Sequence, residues 1–288
     1  MPRTKKKVVR KYCSPSQKKE SNMTCFTKNS LVKIARAWNK ENPNNKVKIS
    51  DASINVLWSR ISKKLKEKCN HEWCWAQQQF IKDIKDKEIN STFKPRKPKK
   101  WNTNKTEWLS TIDIENVVKQ YEKKYQNFRF IGAVPIDFDS TYGFGQCIVN
   151  ELCKINLEKL ILNKIFQVGI IFNLDKHNQD GSHWVGMFID LKRDGIYYFD
   201  SYGEPEPKEV KVLANRLLRQ ASKMGKKNMV YRVNDIRHQY KNSECGIYCI
   251  NFIVEMLEGS DYDEFIKEKI NDTDMNKKRD FYFSPNYK

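Results

Sequence analysis

The sequence predicts an α+β protein that carries a helical, basic domain at its N-terminus. Helical apolar patterns fill the first third of the chain, whereas short β-type runs and helices alternate after residue 106 without a strict β–α–β rhythm. The charge divides at the same place. Residues 1–105 hold 28 Lys+Arg against 8 Asp+Glu, and residues 106–288 hold 26 against 27. A polycationic first part beside a near-neutral second part predicts two different roles.

The composition limits the class of protein. The 288 residues carry a formal charge of +19, are 39% hydrophobic and include 7 Trp, 15 Phe and 13 Tyr, which allows a core and excludes disorder throughout. No apolar stretch is long enough to span a bilayer, and the basic N-terminus lacks the apolar stretch of a secretory signal. Eight Cys are few for a disulfide scaffold, so we expect free thiols in a reducing compartment.

The basic part begins with residues 1–24, which are rich in Lys, Arg and Ser, lack periodicity and predict a disordered arm. Residues 25–105 predict a helical domain with three amphipathic helices. Ser50 is the expected N-cap of the second helix, and the third is expected after Cys74. The apolar positions of the helices are Leu31, Ile34, Ala35 and Trp38; Ile54, Leu57, Trp58, Ile61 and Leu65; and Trp75, Phe80, Ile81 and Ile84.

A Pro- and Lys-rich linker over residues 93–100 closes the basic part, because Pro95 and Pro98 cannot continue a helix. Residues 106–288 predict the second domain, which opens with a capping box over residues 110–113. Its expected strands are Phe128–Val134, Phe166–Phe172, His183–Leu191, Ile196–Phe199 and Met229–Val233, and its further helices lie near 153–163, over 207–223 and from Cys245 onward.

A His and an Asp are expected to meet in this second domain. His183 starts one strand and Asp200 follows the next, and the Asp-Gly pair at residues 194–195 predicts a hairpin between them. In an antiparallel pair the start of one strand lies beside the end of the other. His183 and Asp200 should therefore lie within hydrogen-bonding reach, where the acid fixes the tautomer of the imidazole and supports its positive charge.

A Cys is expected at the first turn of the last helix. Unpaired backbone N–H groups and the positive end of the helix dipole favour the thiolate of Cys245 there, and a nearby His183 would favour it further. Gln239 could donate its amide to a developing oxyanion, and Gly246 would let the backbone approach a bound peptide closely. These residues supply the parts of a thiol protease in the order His, Asp, Gln, Cys, and this chemistry needs no cofactor.

At these residues the chain resembles a known superfamily. His183-Trp184, the segment 198–201 and Gln239 followed after five residues by Cys245-Gly246 are similar to motifs of the ubiquitin-like-protein (SUMO) protease and adenovirus maturation protease superfamily. The likeness extends to its branch in large DNA viruses, which includes the African swine fever virus polyprotein protease. It covers about residues 25–260. The upstream segments that are similar to this branch are Cys69–Trp75, Trp108–Ile114, Phe130–Phe138 and Asn173–Asp175.

The resemblance implies a papain-like/adenain-like core and cysteine-protease activity after Gly-Gly. It implies that Cys245 is the nucleophile, His183 the general base and then acid, Asp200 its orienting acid, and Gln239 part of the oxyanion hole. Trp184 would pack over the active site and narrow the substrate channel, which suits residues without side chains beside the cleaved bond. The acid before the nucleophile is Glu244 where the SUMO proteases usually have Asp, and the Asn after Gln is displaced to position 242. Both departures concern the geometry of this loop.

The sequence favours the first of three functions and leaves the other two open as alternatives. The first is a viral protease that matures structural polyproteins in the viral factory of the host cytoplasm and in the virion. The second is removal of SUMO or another ubiquitin-like modifier from host proteins. The third is a basic, nucleic-acid-associated structural virion protein without catalysis. Residues 1–105 could bind nucleic acid or another acidic surface non-specifically, or their Lys runs could be an ordinary solvated surface, and no insertion into a membrane is expected.

Several other residues have two interpretations. Cys69, His71 and Cys74 could bind zinc, but a structural site needs four ligands and no second Cys/His pair lies nearby, so packing is the favoured interpretation and no metal is expected. Cys249 is interpreted as a buried thiol one turn after the nucleophile. The remaining Cys at positions 13, 25, 147 and 153 show no pairing pattern, and His177 and His238 have no acidic partner that the sequence can place.

Overall fold

The computed structural model describes residues 12–17 and 20–285. Most of the arm predicted over residues 1–24 lies outside these residues. The chain divides into two compact units, of which one takes the described residues of Met1–Lys97 and Phe281–Lys288, and the other takes Pro98–Asp280. Within the described residues, no helix combines the length and the hydropathy that crossing a membrane requires.

The first unit is helical, as predicted. Its helices are α1 (Lys28–Glu41), α2 (Ile54–Leu65), α3 (Glu72–Ala76), α4 (Gln79–Lys82) and α5 (Lys87–Asn90). The expected N-cap of α2 at Ser50 is wrong: Ser53 is the cap, and its side chain accepts a hydrogen bond from the backbone N–H of Val56. The single third helix expected after Cys74 is also wrong. His71 caps the one-turn helix α3, which already contains Cys74, and two further short helices follow.

The expectation of free thiols is wrong for six of the eight Cys. Disulfides join Cys13 to Cys25, Cys69 to Cys74, and Cys147 to Cys153. Their separations of 12, 5 and 6 residues form no pattern that marks a disulfide scaffold. Cys245 and Cys249 are the free cysteines of the described residues, and both are buried.

The strands of the second unit are β1 (Phe128–Pro135), β2 (Thr141–Tyr142), β3 (Gln146–Cys147), β4 (Gln167–Asn173), β5 (Trp184–Asp190), β6 (Gly195–Phe199) and β7 (Val230–Val233). Five of them form one sheet in the order β1-β4-β5-β6-β7, and β2 and β3 form a separate hairpin. The outer pairs β1–β4 and β6–β7 are parallel, and the inner pairs β4–β5 and β5–β6 are antiparallel. The mixed sheet confirms the α+β class.

Helices cover both faces of this sheet. The helices from residue 111 onward are α6 (Thr111–Lys124), α7 (Asn150–Cys153), α8 (Leu157–Leu162), α9 (Lys208–Lys223), α10 (Cys245–Glu258), α11 (Tyr262–Lys267), α12 (Asp272–Lys277) and α13 (Arg279–Tyr282), and the boundary between the units falls within α13. The apolar side of α9 packs on alternate residues of the strands, such as Met187 and Tyr198. Residues of the other face meet α10, whose Phe252 lies against Gly186. The nucleophile candidate therefore begins a helix that is buried against the centre of the sheet.

The boundaries of most elements in the second unit follow the sequence. The capping box at Ser110 is confirmed, because its side chain accepts from the N–H of Asp113 and the Asp113 carboxylate accepts from the N–H of Ser110. The helix expected over 153–163 is two short helices, α7 and α8. The sequence did not predict α11, α12 and α13. The last two contact the loop that precedes Cys245.

Candidate active site

His183 and Asp200 meet at the edge where β5 begins and β6 ends. The two strands pair antiparallel, and the Nε2 atom of His183 lies 2.7 Å from Oδ1 of Asp200. Both side chains are buried. Asn234 holds Asp200 in place, because its side chain accepts from the N–H of Asp200 at 2.8 Å and donates to the carbonyl of Asp200 at 3.0 Å. The hairpin thus brings together the two groups that the sequence predicted to meet.

Cys245 completes a line of three groups. It is the first residue of α10, and its thiol acts on the His183 ring closely enough to raise the pKa of the imidazole. Because Asp200 occupies Nε2, the Nδ1 atom is the ring nitrogen left for the thiol. Burial lowers the pKa of His183, but the hydrogen bonds to Asp200 and Cys245 outweigh it and raise the pKa from 6.5 to about 9. The imidazole therefore favours its protonated form at neutral pH.

The first turn of α10 keeps its backbone N–H groups free of a side-chain cap. Glu244 precedes the helix, but its carboxylate turns away and accepts from the N–H and the hydroxyl of Ser243. Unpaired N–H groups at a helix N-terminus attract negative charge. The N-terminus of α10, where Cys245 lies, is such a position.

Gln239 lies fully buried beside this turn. Its Oε1 accepts from the hydroxyl of Ser201 at 2.6 Å, and its Nε2 donates to the carbonyl of Lys241 at 2.7 Å. A carboxamide nitrogen carries two hydrogens, so one remains after the bond to Lys241. The backbone N–H of Gln239 donates to the carbonyl of Ser201, the residue after Asp200. The loop of Gln239 is thus tied to the strand end that carries the acid.

Residues 272–279, which no sequence pattern assigned to the site, hold the loop of residues 239–244 by hydrogen bonds. The Asp272 carboxylate accepts from the backbone N–H groups of Tyr240 and Lys241, both at 2.9 Å. The Asn276 side chain donates to Glu244 at 3.1 Å. The side chain of Arg279 donates to the carbonyl of Ser243 at 3.2 Å and is itself buried.

The signal that could have found this segment is its own capping pattern. Asn271 accepts from the N–H of Asp274, which marks the start of a polar helix. Nothing in the sequence of that helix indicates that Asp272 reaches a loop 31 residues earlier. Because the two segments are far apart in the chain, no local pattern predicts this contact.

A cavity of about 580 Å³ lies beside the site. Trp184 forms part of its wall, together with Trp108 and Leu109. The indole N–H of Trp184 donates to the carbonyl of Leu109 at 3.0 Å and fixes this wall. A Cβ atom at Gly246 would lie 3.0 Å from Leu109 and 3.4 Å from Trp184, so Gly246 lets the start of α10 pack tightly against this wall. This reason differs from the close approach of a peptide that the sequence suggested.

Other polar residues depart from the sequence-based interpretation. His177 does have an acidic partner: its Nδ1 lies 2.7 Å from Oδ2 of Asp137, at the rim of the cavity. His238 is buried among aromatic rings, and burial lowers its pKa. Cys249 is buried and donates to the carbonyl of Trp184, and burial raises its pKa.

The zinc alternative loses two of its ligands. Cys69 and Cys74 are bonded to each other, and the ring of His71 accepts from the N–H of Cys74. Over residues 12–17 and 20–285, no group of three or more His, Cys, Asp and Glu side chains could hold a metal ion. The pair Cys69–Cys74 therefore has a covalent role in the first unit.

Comparison with known proteins identifies the class. The description "Ulp1 protease family, C-terminal catalytic domain" matches residues 158–288. The chain is 34% identical, over 94% of its length and 92% of the relative's, to the protein named "Putative thiol protease R355" of Acanthamoeba polyphaga mimivirus. It is 29% identical, over 79% of its length and 87% of the relative's, to a protein of African swine fever virus that is named a cysteine protease.

The fold agrees with these relatives. The crystal structure of an African swine fever virus protease covers 97% of this chain and 100% of its own, with a TM-score of 0.65 and 23% identity. The relatives that are similar in sequence are viral proteins named as thiol or cysteine proteases, and cysteine peptidase is the class that the motifs predicted. The chain belongs to the Ulp1 protease family of cysteine peptidases.

Proposed function

We propose that Cys245, His183, Asp200 and Gln239 form the catalytic machinery of this peptidase and that it cleaves viral structural polyproteins after Gly-Gly during maturation of the virion. The observation that supports this proposal most strongly is the position of His183 between the Asp200 carboxylate and the Cys245 thiol. A raised pKa of the imidazole matches a resting thiolate–imidazolium pair.

The reaction follows from this geometry. The Cys245 thiolate attacks the carbonyl carbon, and the free N–H of Gln239 and the backbone N–H of Cys245 hold the oxygen that becomes negative. Protonated His183 gives its proton to the leaving amine, so the C–N bond breaks and a thioester remains. His183 then takes a proton from water, which attacks the thioester and releases the acid and the thiolate. Asp200 keeps the imidazole oriented throughout.

The wall formed by Trp184 supports specificity for Gly-Gly. Its indole is fixed to Leu109 and is 5% exposed, so it leaves little room beside Cys245 for a side chain. We expect that peptides with Leu in place of the last Gly before the cleaved bond are turned over at least tenfold more slowly. Equal turnover of the Gly and Leu peptides would contradict the narrow channel.

A ubiquitin-like modifier is the second candidate substrate. The relative in several African swine fever virus isolates is named a SUMO-1 cysteine protease. Two substrates discriminate between the candidates: SUMO fused through its C-terminal Gly-Gly to a fluorescent protein, and a short Gly-Gly-X peptide carrying the same reporter. We expect the peptide to be cleaved at least as fast as the fusion. Cys245→Ala and His183→Ala should remove cleavage of both, and a variant with near wild-type turnover would contradict the assignment.

The basic residues 1–105 are proposed to localise the enzyme. Their excess of positive charge would hold the enzyme near nucleic acid or an acidic assembly surface in the viral factory and the virion. Lys63 and Lys66 are exposed on and just after α2, and we expect Lys63→Glu with Lys66→Glu to weaken binding to duplex DNA and to lower its salt dependence. Hydrolysis of a short peptide should not change. An unchanged affinity for DNA would favour an ordinary solvated surface.

A further inference from the structure

A stack of alternating aromatic and cationic side chains begins on the imidazole of His183. The ring of Tyr202 lies on this imidazole, with 4.6 Å between the centroids and 18° between the planes. The guanidinium of Arg237 lies 5.2 Å from the Tyr202 centroid and 5.0 Å from the Tyr240 centroid. These distances are typical of cation–π contacts. We call Tyr202, Arg237 and Tyr240 the ladder.

The ladder is fixed to the catalytic residues by hydrogen bonds. The N–H of Tyr202 donates to Oδ1 of Asp200 at 2.9 Å, and its hydroxyl donates to the carbonyl of Lys241 at 3.1 Å. The Nε of Arg237 donates to the carbonyl of Gln239 at 2.8 Å. The ladder therefore cannot move independently of the proposed base, its acid and the oxyanion loop.

Arg237 still has binding capacity for an anion. Its side chain is exposed, and the hydrogen bond of its Nε goes to a backbone carbonyl and not to a carboxylate. Because its Nε donates to the carbonyl of Gln239, the two terminal nitrogens of the guanidinium remain available. These two nitrogens form the planar fork that binds carboxylates. Tyr240 is 66% exposed beside it. An exposed guanidinium beside two tyrosines can form an ion pair with an acidic side chain.

The chemistry of the proposed mechanism indicates which part of a substrate meets the ladder. His183 protonates the leaving amine, so the residue after the cleaved bond must lie against the imidazole. Tyr202 covers one face of that ring, and a chain that continued from the amine along this face would pass over Tyr202. The wall of the 580 Å³ cavity is formed instead by Trp184, and none of the ladder residues lines that cavity. The cavity is thus available for the residues before the cleaved bond.

We propose that the ladder is a binding site for the leaving segment of the substrate and that Arg237 selects an acidic side chain there. The stack places the guanidinium two contacts away from the imidazole, and an extended chain advances about 3.4 Å per residue. The acidic residue therefore lies among the first three after the cleaved bond. This inference rests on the proposed catalytic roles and adds a preference on the leaving side.

The test uses a library of peptides made by digesting a whole proteome, so that no substrate needs to be known. The full-length protein is incubated with the library, and mass spectrometry identifies the residues on both sides of each new cleavage. Cys245→Ala gives the background. The compared proteins are the wild type, Arg237→Gln, Arg237→Glu and Arg219→Glu. Arg219 is an exposed arginine on α9 and provides a control with the same change of charge.

For the wild type and Arg219→Glu we expect Asp and Glu to be enriched about two- to fivefold over Lys and Arg at the first three positions after the cut, the range of one exposed ion pair. Arg237→Gln should remove the enrichment, and Arg237→Glu should reverse it. If Arg237→Glu does not fold, the wild type at 0.5 M salt should lose the enrichment by screening.

The outcomes separate this inference from the proposed function. Cleavage that depends on Cys245 but shows no charge preference on the leaving side, or one that Arg237→Glu leaves unchanged, overturns the ladder and leaves the catalytic assignment standing. Cleavage at sites other than Gly-Gly overturns the proposed specificity alone. Absence of any cleavage that depends on Cys245 overturns the catalytic assignment, and the ladder falls with it.

Discussion

Replacement of Asp200 by Asn should shift the alkaline limit of activity. Burial lowers the pKa of His183, and the hydrogen bond to Asp200 is the largest of the contributions that together raise it from 6.5 to about 9. This difference of about 2.5 pKa units corresponds to roughly 3 kcal/mol in favour of the protonated ring. Asn keeps the shape of the side chain but removes its charge, so the pKa of His183 should fall toward 6.5.

The sign of the effect follows from the role of the proton. A raised pKa keeps His183 protonated, and able to protonate the leaving amine, until the pH rises through about 9. With a pKa near 6.5 the protonated fraction at pH 8 falls by about 30-fold, whereas at pH 6 it changes by less than a factor of two. The loss in kcat/KM should therefore be small in acid and large in alkali.

The assay is kcat/KM for one cleavable peptide between pH 5.5 and 10. Asp190→Asn is a matched control, because Asp190 is a buried carboxylate at the other end of β5 and pairs with Arg193. It should reduce stability and leave the alkaline limit in place. The reasoning is refuted if Asp200→Asn lowers activity equally at every pH, or if its alkaline limit stays near that of the wild type.

Two further predictions concern the supporting structure. Burial outweighs the hydrogen bonds from Thr24, Cys25 and Trp58 and raises the pKa of Glu72 from 4.5 to about 7, so the cost of a buried charge is absent below pH 4.5 and complete above pH 7. The first unit should therefore lose roughly 3 kcal/mol of stability between pH 4.5 and 8. Urea unfolding followed by Trp fluorescence measures this loss, and Glu72→Gln should abolish it. An equal loss in the wild type and in Glu72→Gln would contradict the raised pKa of Glu72. Asp272→Asn should lower kcat about tenfold, because two backbone N–H groups of the oxyanion loop lose a charged acceptor. Asp274→Asn, on the exposed side of α12, should leave kcat unchanged, and equal effects of the two variants would rule out this role of Asp272.

Much of the candidate site could be predicted because its signals are local. The Asp-Gly turn between two strand-like runs predicts that β5 and β6 pair, and that pairing brings His183 to Asp200. The apolar spacing after Cys245 likewise predicts a buried helix that starts at this residue. Both inferences use only the periodicities of strands and helices and the chemistry of turns.

The missed features depend on contacts between distant parts of the chain. Asp272 reaches Tyr240, and Asp137 reaches His177 across 40 residues, and neither pair leaves a local pattern. The three disulfides follow from which Cys the fold brings together, not from their spacing. The shift of the cap from Ser50 to Ser53 has a local cause: Asp51 adopts a positive φ of 52°, so the helix cannot yet have begun.

Trapping of the nucleophile tests the central claim most directly. A short peptide that ends in Gly-Gly and carries a vinyl methyl ester in place of its carboxylate is incubated with the protein at pH 7, and the adduct is located by peptide mapping. We predict one adduct per chain, on Cys245, lost in Cys245→Ala and formed much more slowly in His183→Gln. An adduct on Cys249, or cleavage of peptides by a protein in which Cys245 never reacts, would contradict the account.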